Sequence, residues 1–168
     1  MSESSVIRRA VIDVGTNSVK LLVADLDGAN VIPIDERSKQ TRLGSGFYET
    51  QLLQPDAISA TAEAVRKFSE QAGLLQASQI RVFATSATRD ARNGAELLAA
   101  IQASSGLAVE IISGEQEAEW VFEGVASDAR FANIPLLILD VGGGSTEFIL
   151  GQNREQYFRN SFRMGTVR

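Results

Sequence analysis

The sequence contains no cysteine and no histidine. Without cysteine the chain forms neither disulfides nor thiolate metal sites. Without histidine it has no imidazole for acid–base catalysis and no ligand for most zinc sites. Any catalysis must therefore use carboxylates, hydroxyls, lysine or arginine, backbone amides, or a metal ion held by oxygen ligands.

The chain also lacks an excess of basic residues and a long apolar run. Its 16 basic and 21 acidic residues give a formal charge of -5, which argues against a general nucleic-acid binder. Its apolar runs are far shorter than the about 20 residues of a membrane helix, and Met1–Arg9 has no apolar core of a secretory signal. We therefore expect a soluble, cytoplasmic protein that binds neither nucleic acid nor membrane.

What is present is the composition of one globular domain, or of one domain and part of another, with 44% hydrophobic residues in 168. Three short apolar runs separated by tight turns, the last at Val31–Ile34, predict an antiparallel meander. Helical spacing then alternates with strands predicted over Ile80–Ala84 and Val109–Ile112. A third helix is predicted over Glu115–Val125, and the whole pattern is typical of an α/β domain.

The first strand and its turn occur twice in the sequence. Ala10–Val23 aligns without gaps on Leu137–Leu150, and both segments carry Asp-x-Gly at the end of the apolar run. We interpret this as an internal duplication, which makes the chain a piece of a longer protein. The predicted lobes are residues 1–133, with a phosphate-binding hairpin, and residues 134–168, a truncated second lobe with its own hairpin.

Each turn places a carboxylate at a strand end, followed by small residues and hydroxyls. Small residues let a phosphate approach the backbone N–H groups, and hydroxyls add donors. Two such hairpins facing each other would clamp a phosphate chain, although for the glycine triplet alone an ordinary tight hairpin is the alternative. The candidate phosphate-binding residues of the turns are Gly15, Thr16, Asn17, Ser18, Gly142, Gly143, Gly144, Ser145 and Thr146.

Five segments together resemble the exopolyphosphatase/guanosine pentaphosphate phosphohydrolase (Ppx/GppA) family of the actin-like ATPase superfamily. The resemblance covers essentially the whole chain, whereas the Asp-x-Gly turns alone would indicate only the wider superfamily. The segments are 11–22, 84–93, 112–118, 139–147 and 163–167.

The resemblance implies an actin-like fold, with a ribonuclease-H-like mixed sheet, helices on both faces, and the first strands of a duplicated second lobe. It also implies hydrolysis of terminal phosphates from polyphosphate or guanosine pentaphosphate with Mg²⁺ or Mn²⁺, and a homodimer for the longer protein. These residues do not distinguish the two substrates.

By this resemblance Glu117 matches the catalytic glutamate, and a carboxylate is the natural base in a chain without histidine. Glu115 is better explained as a helix-start acid and Glu119 as a solvated residue. Asp140 and Glu147 are candidate magnesium ligands, with Asp13 as a third. The alternatives are an outward-facing strand residue for Glu147 and solvated turn caps for both aspartates.

Cationic residues complete the predicted site. Lys20 interrupts an apolar run where the family carries a basic residue; the alternative is a strand residue that faces solvent. Arg89 follows a strand end, where ligands bind in open α/β sheets. Asn93 and Arg92 lie nearby. The cluster Arg37, Lys39 and Arg42 could line the approach of a polyanion or form a solvated edge. On the third helix, packing explains Trp120 and Phe122 better than stacking on guanine does.

Two other functions share the hairpins: a phosphotransferase of the sugar or acetate kinase type, and a non-catalytic nucleotide-binding module. Glu117 favours water over an organic acceptor and therefore favours hydrolysis. For the 168-residue chain alone we expect weak phosphate binding, little turnover and self-association. This follows from the expectation that its C-terminal strands, with Phe148, Ile149 and Leu150, lack covering helices.

Overall fold

The structure, a computed structural model, describes residues 6–131 and 133–167. Its contacts divide the chain into two compact units, which meet in sequence between Ile111 and Ile112. We call the part up to Ile111 unit 1 and the part from Ile112 unit 2. Among the described residues, no helix is long and apolar enough to cross a membrane.

The elements of unit 1 are β1 (Ile7–Val14), β2 (Ser18–Asp27), β3 (Asn30–Gln40), α1 (Phe47–Thr50), α2 (Pro55–Leu74), β4 (Gln79–Ala84), α3 (Ser86–Asp90), α4 (Gly94–Ser105) and β5 (Val109–Ile111). Those of unit 2 are α5 (Gly114–Ala126), β6 (Leu136–Val141), β7 (Thr146–Gln152) and β8 (Glu155–Phe162).

Unit 1 is built on a five-stranded mixed sheet in the order β3-β2-β1-β4-β5. Strands β1 to β3 pair antiparallel, as the meander predicted, and β4 and β5 continue the sheet parallel to β1. The α/β fold class and the ribonuclease-H-like arrangement of this sheet are therefore confirmed. The short helices α1 and α3 were not predicted, because each is about one turn long and leaves no periodic signal.

The core of unit 1 lies on one face of this sheet. Alternate residues of β1, namely Ala10, Ile12 and Val14, are buried there with Val65 of α2 and Leu97 of α4. The intervening residues point to the opposite face, where Val11 is 38% exposed. The long helices α2 and α4 pack against each other, so both lie on the same face of the sheet. The expectation was that helices would cover both faces.

Unit 2 is a three-stranded antiparallel sheet, β6-β7-β8, with helix α5 packed on it. Ala118, Phe122 and Ala126 of α5 form a small core with Ile149 of β7. The expectation that the second sheet has no helix was therefore wrong. Because α5 packs on β6 to β8, the compact unit begins before this helix, whereas the predicted lobe boundary at 133/134 lies after it.

The two faces of the second sheet differ sharply in exposure. Ile149 is fully buried under α5, while its neighbour Leu150, on the opposite face, is 42% exposed. Leu139 and Val141 share that opposite face by strand alternation and are 51% and 59% exposed. Of the three residues expected to be uncovered, Ile149 is buried, Phe148 is half-buried and Leu150 is exposed.

Gly151 sets how closely α5 approaches the sheet. A Cβ at Gly151 would overlap the Phe122 ring and lie 2.5 Å from the carbonyl oxygen of Glu155. Phe122 is 1% exposed, so a shift of its ring would disturb the small core of unit 2. We expect Gly151→Ala to lower the free energy of unfolding by about 1–3 kcal/mol, measured by urea unfolding with the fluorescence of Trp120.

Gly124→Ala is the matched control. Gly124 lies in α5, the helix that carries Phe122, and a Cβ there meets nothing within 4 Å. This change should raise stability by about 0.5–1 kcal/mol, the usual gain of alanine over glycine in a helix. Equal effects of the two substitutions would contradict the close packing at Gly151.

Candidate functional site

The first Asp-x-Gly turn joins β1 to β2 at the end of the sheet. The Gly15 N–H donates to the carbonyl oxygen of Ser18 at 3.0 Å and closes the turn. A Cβ at Gly15 would lie 3.1 Å from that same oxygen, so a larger residue would strain the closure. Thr16 is buried, and Asn17 and Ser18 are half-buried.

The second turn, between β6 and β7, has the same construction. The Gly142 N–H donates to the carbonyl oxygen of Ser145 at 2.9 Å, and a Cβ at Gly142 would again lie 3.1 Å from the acceptor. Gly144, Ser145 and Thr146 are buried. Each hairpin therefore has an equivalent hydrogen bond and an equivalent close approach of the glycine to its acceptor, as an internal repeat predicts.

The loop that follows the third strand of each meander donates hydrogen bonds to the hairpin. In unit 1 the N–H groups of Thr41 and Arg42 both donate to the Asn17 carbonyl, at 3.0 and 2.9 Å. The N–H of Gly44 donates to the carbonyl oxygen of Thr16 at 2.8 Å. These bonds occupy the turn's carbonyl oxygens. Phosphate is an acceptor and is repelled by free carbonyl oxygens, so a turn whose carbonyls are bonded elsewhere suits an anion.

Unit 2 repeats this support with different residues. The N–H groups of Thr166 and Val167 donate to the carbonyls of Gly142 and Gly143, at 3.0 and 2.9 Å. Gly165 lies so close to the turn that a Cβ there would overlap the backbone of Gly143. Both hairpins thus have their carbonyls bound by the loop after the third strand; we call these two segments, 41–44 and 163–167, the exit loops.

The residues opposite the two aspartates carry opposite charges. Asp13 pairs directly with Lys20 across β1 and β2, while Asp140 pairs with Glu147 across β6 and β7. Directly opposite residues share a sheet face, with Cβ atoms about 4.5–5.5 Å apart. The same structural position therefore supplies a cation beside the first hairpin and a second carboxylate beside the other.

Glu147 is fully buried, an uncommon place for a carboxylate. Its Oε1 accepts a hydrogen bond from the Ser161 hydroxyl at 2.6 Å, and its Oε2 has no hydrogen-bond partner in the described part of the chain. Glu147 lies on the face of the sheet that α5 covers, as Ile149 does. The alternative of an outward-facing strand residue is therefore wrong, and one buried carboxylate oxygen is left without a hydrogen-bond donor among the described residues.

Asp140 beside Glu147 makes a pair of acids rather than a larger cluster. Among the described residues, no group of three or more histidine, cysteine, aspartate or glutamate side chains could hold a metal ion. Mg²⁺ is commonly bound through one or two carboxylates with substrate phosphates and waters completing its shell. A pair of carboxylates at a glycine turn fits that pattern. Asp13 lies in unit 1, where its cross-strand partner is Lys20.

Glu117 lies in the first turn of α5. The Ser113 side chain caps this helix by accepting from the Gln116 N–H at 3.1 Å, and the Glu117 N–H donates to the Ser113 carbonyl at 2.9 Å. Glu117 is half-buried and directly precedes the fully buried Ala118. Glu115 is exposed, and Glu119 lies 3.6 Å from Arg159, so the three glutamates have different surroundings.

Arg89 lies in the last turn of the short helix α3, which follows β4. The Thr85 N–H donates to the Val14 carbonyl at 3.3 Å, so the segment that leads to Arg89 starts beside the end of β1, next to the first turn. Asn93, by contrast, is structural: its side-chain amide bonds both the N–H of Leu53, at 2.8 Å, and its carbonyl, at 3.0 Å. Within unit 1, Arg89 thus lies on a segment that starts beside the first turn, and Lys20 lies on β2, which begins at that turn.

The other predicted residues divide between packing and charge. Phe122 is a core residue and Trp120 on the same helix is half-buried, in agreement with packing. Of the basic cluster, Arg37 pairs with Asp35 at 2.8 Å, while Lys39 and Arg42 are exposed.

Sequence reasoning missed the residues that support the site. Ser161 was not singled out, since nothing in a strand sequence shows that its hydroxyl meets a buried carboxylate. Ser86 and Thr88 were passed over although both are buried, with hydroxyls that lack a hydrogen bond among the described residues. Their signal was the run of small and hydroxyl residues after β4, in Thr85–Thr88.

Comparison with known proteins agrees with these features. The model of the Ppx/GppA phosphatase family matches residues 3–168. Exopolyphosphatase 2 of Mycobacterium tuberculosis (strain CDC 1551 / Oshkosh) is 37% identical over 158 residues, which cover 87% of this chain and 49% of that protein. The chain therefore spans about half the length of this curated relative.

Two solved structures share the fold along nearly the whole chain. The Aquifex aeolicus member of the Ppx/GppA family superposes with a TM-score of 0.84 at 31% identity, over 97% of this chain and 53% of that one. An exopolyphosphatase from Cytophaga hutchinsonii gives 0.89 at 30% identity, over 94% and 51%. The actin-like ATPase fold is thus established, and the chain belongs to the Ppx/GppA phosphatase family.

Proposed function

We propose that this chain forms part of a hydrolase that removes terminal phosphates from inorganic polyphosphate or guanosine pentaphosphate and releases orthophosphate. The observation that carries the proposal is the buried Glu147, with one unpartnered oxygen, paired with Asp140 at a glycine turn whose carbonyls are bonded elsewhere. The relative named exopolyphosphatase 2 supports the reaction class.

Phosphate binding is assigned to both turns. The backbone N–H groups of the turns and the hydroxyls of Thr16, Ser18, Ser145 and Thr146 donate to phosphate oxygens. Lys20 and Arg89 add positive charge beside the first turn, and arginine can bind two phosphate oxygens at once. Such fixed donors stabilise the charge that gathers on the transferred phosphoryl group.

Asp140 and Glu147 would hold a divalent cation, Mg²⁺ or Mn²⁺, and Asp13 remains a third candidate. When bound, the cation supplies charge neutralisation to the polyanionic substrate. The unpartnered Oε2 of Glu147 fits this role, because a buried carboxylate oxygen without a donor is otherwise costly. Ser161 holds the other oxygen and fixes the carboxylate's orientation.

Glu117 is proposed as the general base. Its carboxylate accepts a proton from the attacking water, whose oxygen forms the new bond to the terminal phosphorus. The bond from that phosphorus to the bridging oxygen breaks, and the shortened chain leaves with the electron pair on that oxygen. The half-buried position at a capped helix start limits the motion of Glu117.

Phosphate release separates this proposal from its rivals. The assay uses the complete encoded protein, with polyphosphate, guanosine pentaphosphate and ATP as substrates. Orthophosphate from either of the first two supports hydrolysis, and their ratio assigns the preference. Transfer from ATP to an organic acceptor would indicate a kinase. Binding of ATP with no turnover of any substrate would indicate a nucleotide-binding module. Cytoplasmic location, homodimer formation and weak activity of the 168-residue piece remain predictions.

For Glu117, the Gln substitution keeps the shape of the side chain and removes the base. Turnover should fall by about 10²–10⁴-fold with little change in substrate binding, measured by steady-state phosphate release and by equilibrium binding. Glu115→Gln, an exposed change in the same helix turn, should leave turnover near normal. Near-normal turnover of Glu117→Gln would exclude Glu117 as the base.

For the metal, Glu147→Gln should abolish the rise in melting temperature that Mg²⁺ gives to the unsubstituted protein. Without Mg²⁺ the variant should melt at the same temperature or higher, because it no longer buries a charge. Calorimetry with and without chelator measures both effects, and Glu155→Gln, an exposed change in β8, is the control. A retained Mg²⁺ shift in Glu147→Gln would contradict the assignment.

A further inference from the structure

We propose that Arg42 contacts the substrate: its guanidinium binds the anhydride-linked phosphates held at the first hairpin. This inference rests on the proposed function, which gives that hairpin a phosphate ligand. Arg42 belongs to the first exit loop, and its N–H donates to the Asn17 carbonyl at 2.9 Å. The residue is therefore one hydrogen bond away from the turn.

The backbone of Arg42 adopts a conformation that arginine seldom takes. Its φ is 52°, in the left-handed region that favours glycine and asparagine. Arginine there costs stability, and such positions cluster at functional sites, although Arg154 adopts a similar φ in a turn. The neighbours Thr41 and Leu43 are buried, which fixes the loop on both sides of an exposed Arg42.

The guanidinium of Arg42 has no ion pair or hydrogen bond within residues 6–131 and 133–167, whereas Arg8, Arg37 and Arg81 each hold a carboxylate. An exposed cation anchored to an anion-binding turn is positioned for a phosphate that extends beyond the turn. Arginine suits this task because its donors form a fork that matches phosphate oxygens.

The internal repeat places a different residue at this position in the second exit loop. Lys20 lies opposite Ser38 and the equivalent Glu147 lies opposite Ser161, so Arg42 corresponds by register to Gly165. The hydrogen bonds agree, since the Gly44 N–H donates to the Thr16 carbonyl and the Val167 N–H to the equivalent carbonyl of Gly143. The arginine is therefore a feature of the first exit loop, the one beside the hairpin that carries Lys20.

The experiment replaces Arg42 by asparagine, which accepts the left-handed conformation and removes only the charge and the fork. We expect an unchanged or higher melting temperature and a kcat/KM for polyphosphate lower by about 10-fold to 100-fold, the range of a charge-assisted hydrogen bond. The loss should appear mainly in KM, because the contact binds substrate rather than activates water. Arg42→Lys should recover part of it.

Arg154→Asn is the matched control. Arg154 is also an exposed arginine with a left-handed backbone, φ 64°, but it lies in the β7–β8 turn, at the end of β7 remote from the glycine hairpin. Its kinetics should match those of the unsubstituted protein. Running guanosine pentaphosphate alongside polyphosphate locates the contact: an equal loss places it on the phosphates common to both, and a loss with polyphosphate alone places it on the longer chain.

Unchanged KM in Arg42→Asn, with the unsubstituted protein active, would overturn this inference and leave the proposed function intact. Inactivity of the complete encoded protein without any substitution would instead refute the proposed function. If Arg42→Asn melts earlier, Arg42→Gly decides the matter, since glycine has no strain there. Recovery of both stability and KM would make Arg42 a structural residue, and recovery of stability alone would support the substrate contact.

Discussion

The hydrogen bond between a glycine N–H and the carbonyl of the serine three residues later is the constraint on which the candidate site depends. It closes both turns, Gly15 to Ser18 and Gly142 to Ser145, and its length fixes where the flanking strands begin and end. That register in turn places Asp13 opposite Lys20 and Asp140 opposite Glu147. A larger residue in place of either glycine would press on the acceptor oxygen, which would have to move by a few tenths of an ångström.

The repeat has kept this backbone device and changed the chemistry beside it. In unit 1 the position after the turn carries the exposed Lys20, and in unit 2 the equivalent position carries the buried Glu147. A cation there attracts phosphate directly, whereas a buried carboxylate attracts phosphate only through a metal ion. Under the proposed function, the two copies of the hairpin would have complementary roles, and the difference would arise from the residue at a single strand position.

The sequence was sufficient where a local pattern determines structure. Alternation and turn residues predicted the strands of the meander, and the repeat predicted two hairpins of one geometry. It was insufficient where partners come from distant segments. Periodicity showed that α5 has an apolar face but not which sheet would receive Phe122. The amide clamp of Asn93 on Leu53 and the bond from Ser161 to Glu147 likewise depend on tertiary proximity.

The two sheets bury opposite faces of the same repeated strand. Ile12 in β1 is fully buried, while its counterpart Leu139 in β6 is 51% exposed; Val11 is 38% exposed, while its counterpart Ile138 packs against the core under α5. Strand alternation makes each pattern periodic, so the two copies are out of phase by one residue. Positions of β1 that tolerate polar substitution should therefore correspond to positions of β6 that do not, and the reverse. For this family, aligning one copy on the other by hydrophobicity would shift the repeat by one position, and only the Asp-x-Gly turn keeps the alignment correct.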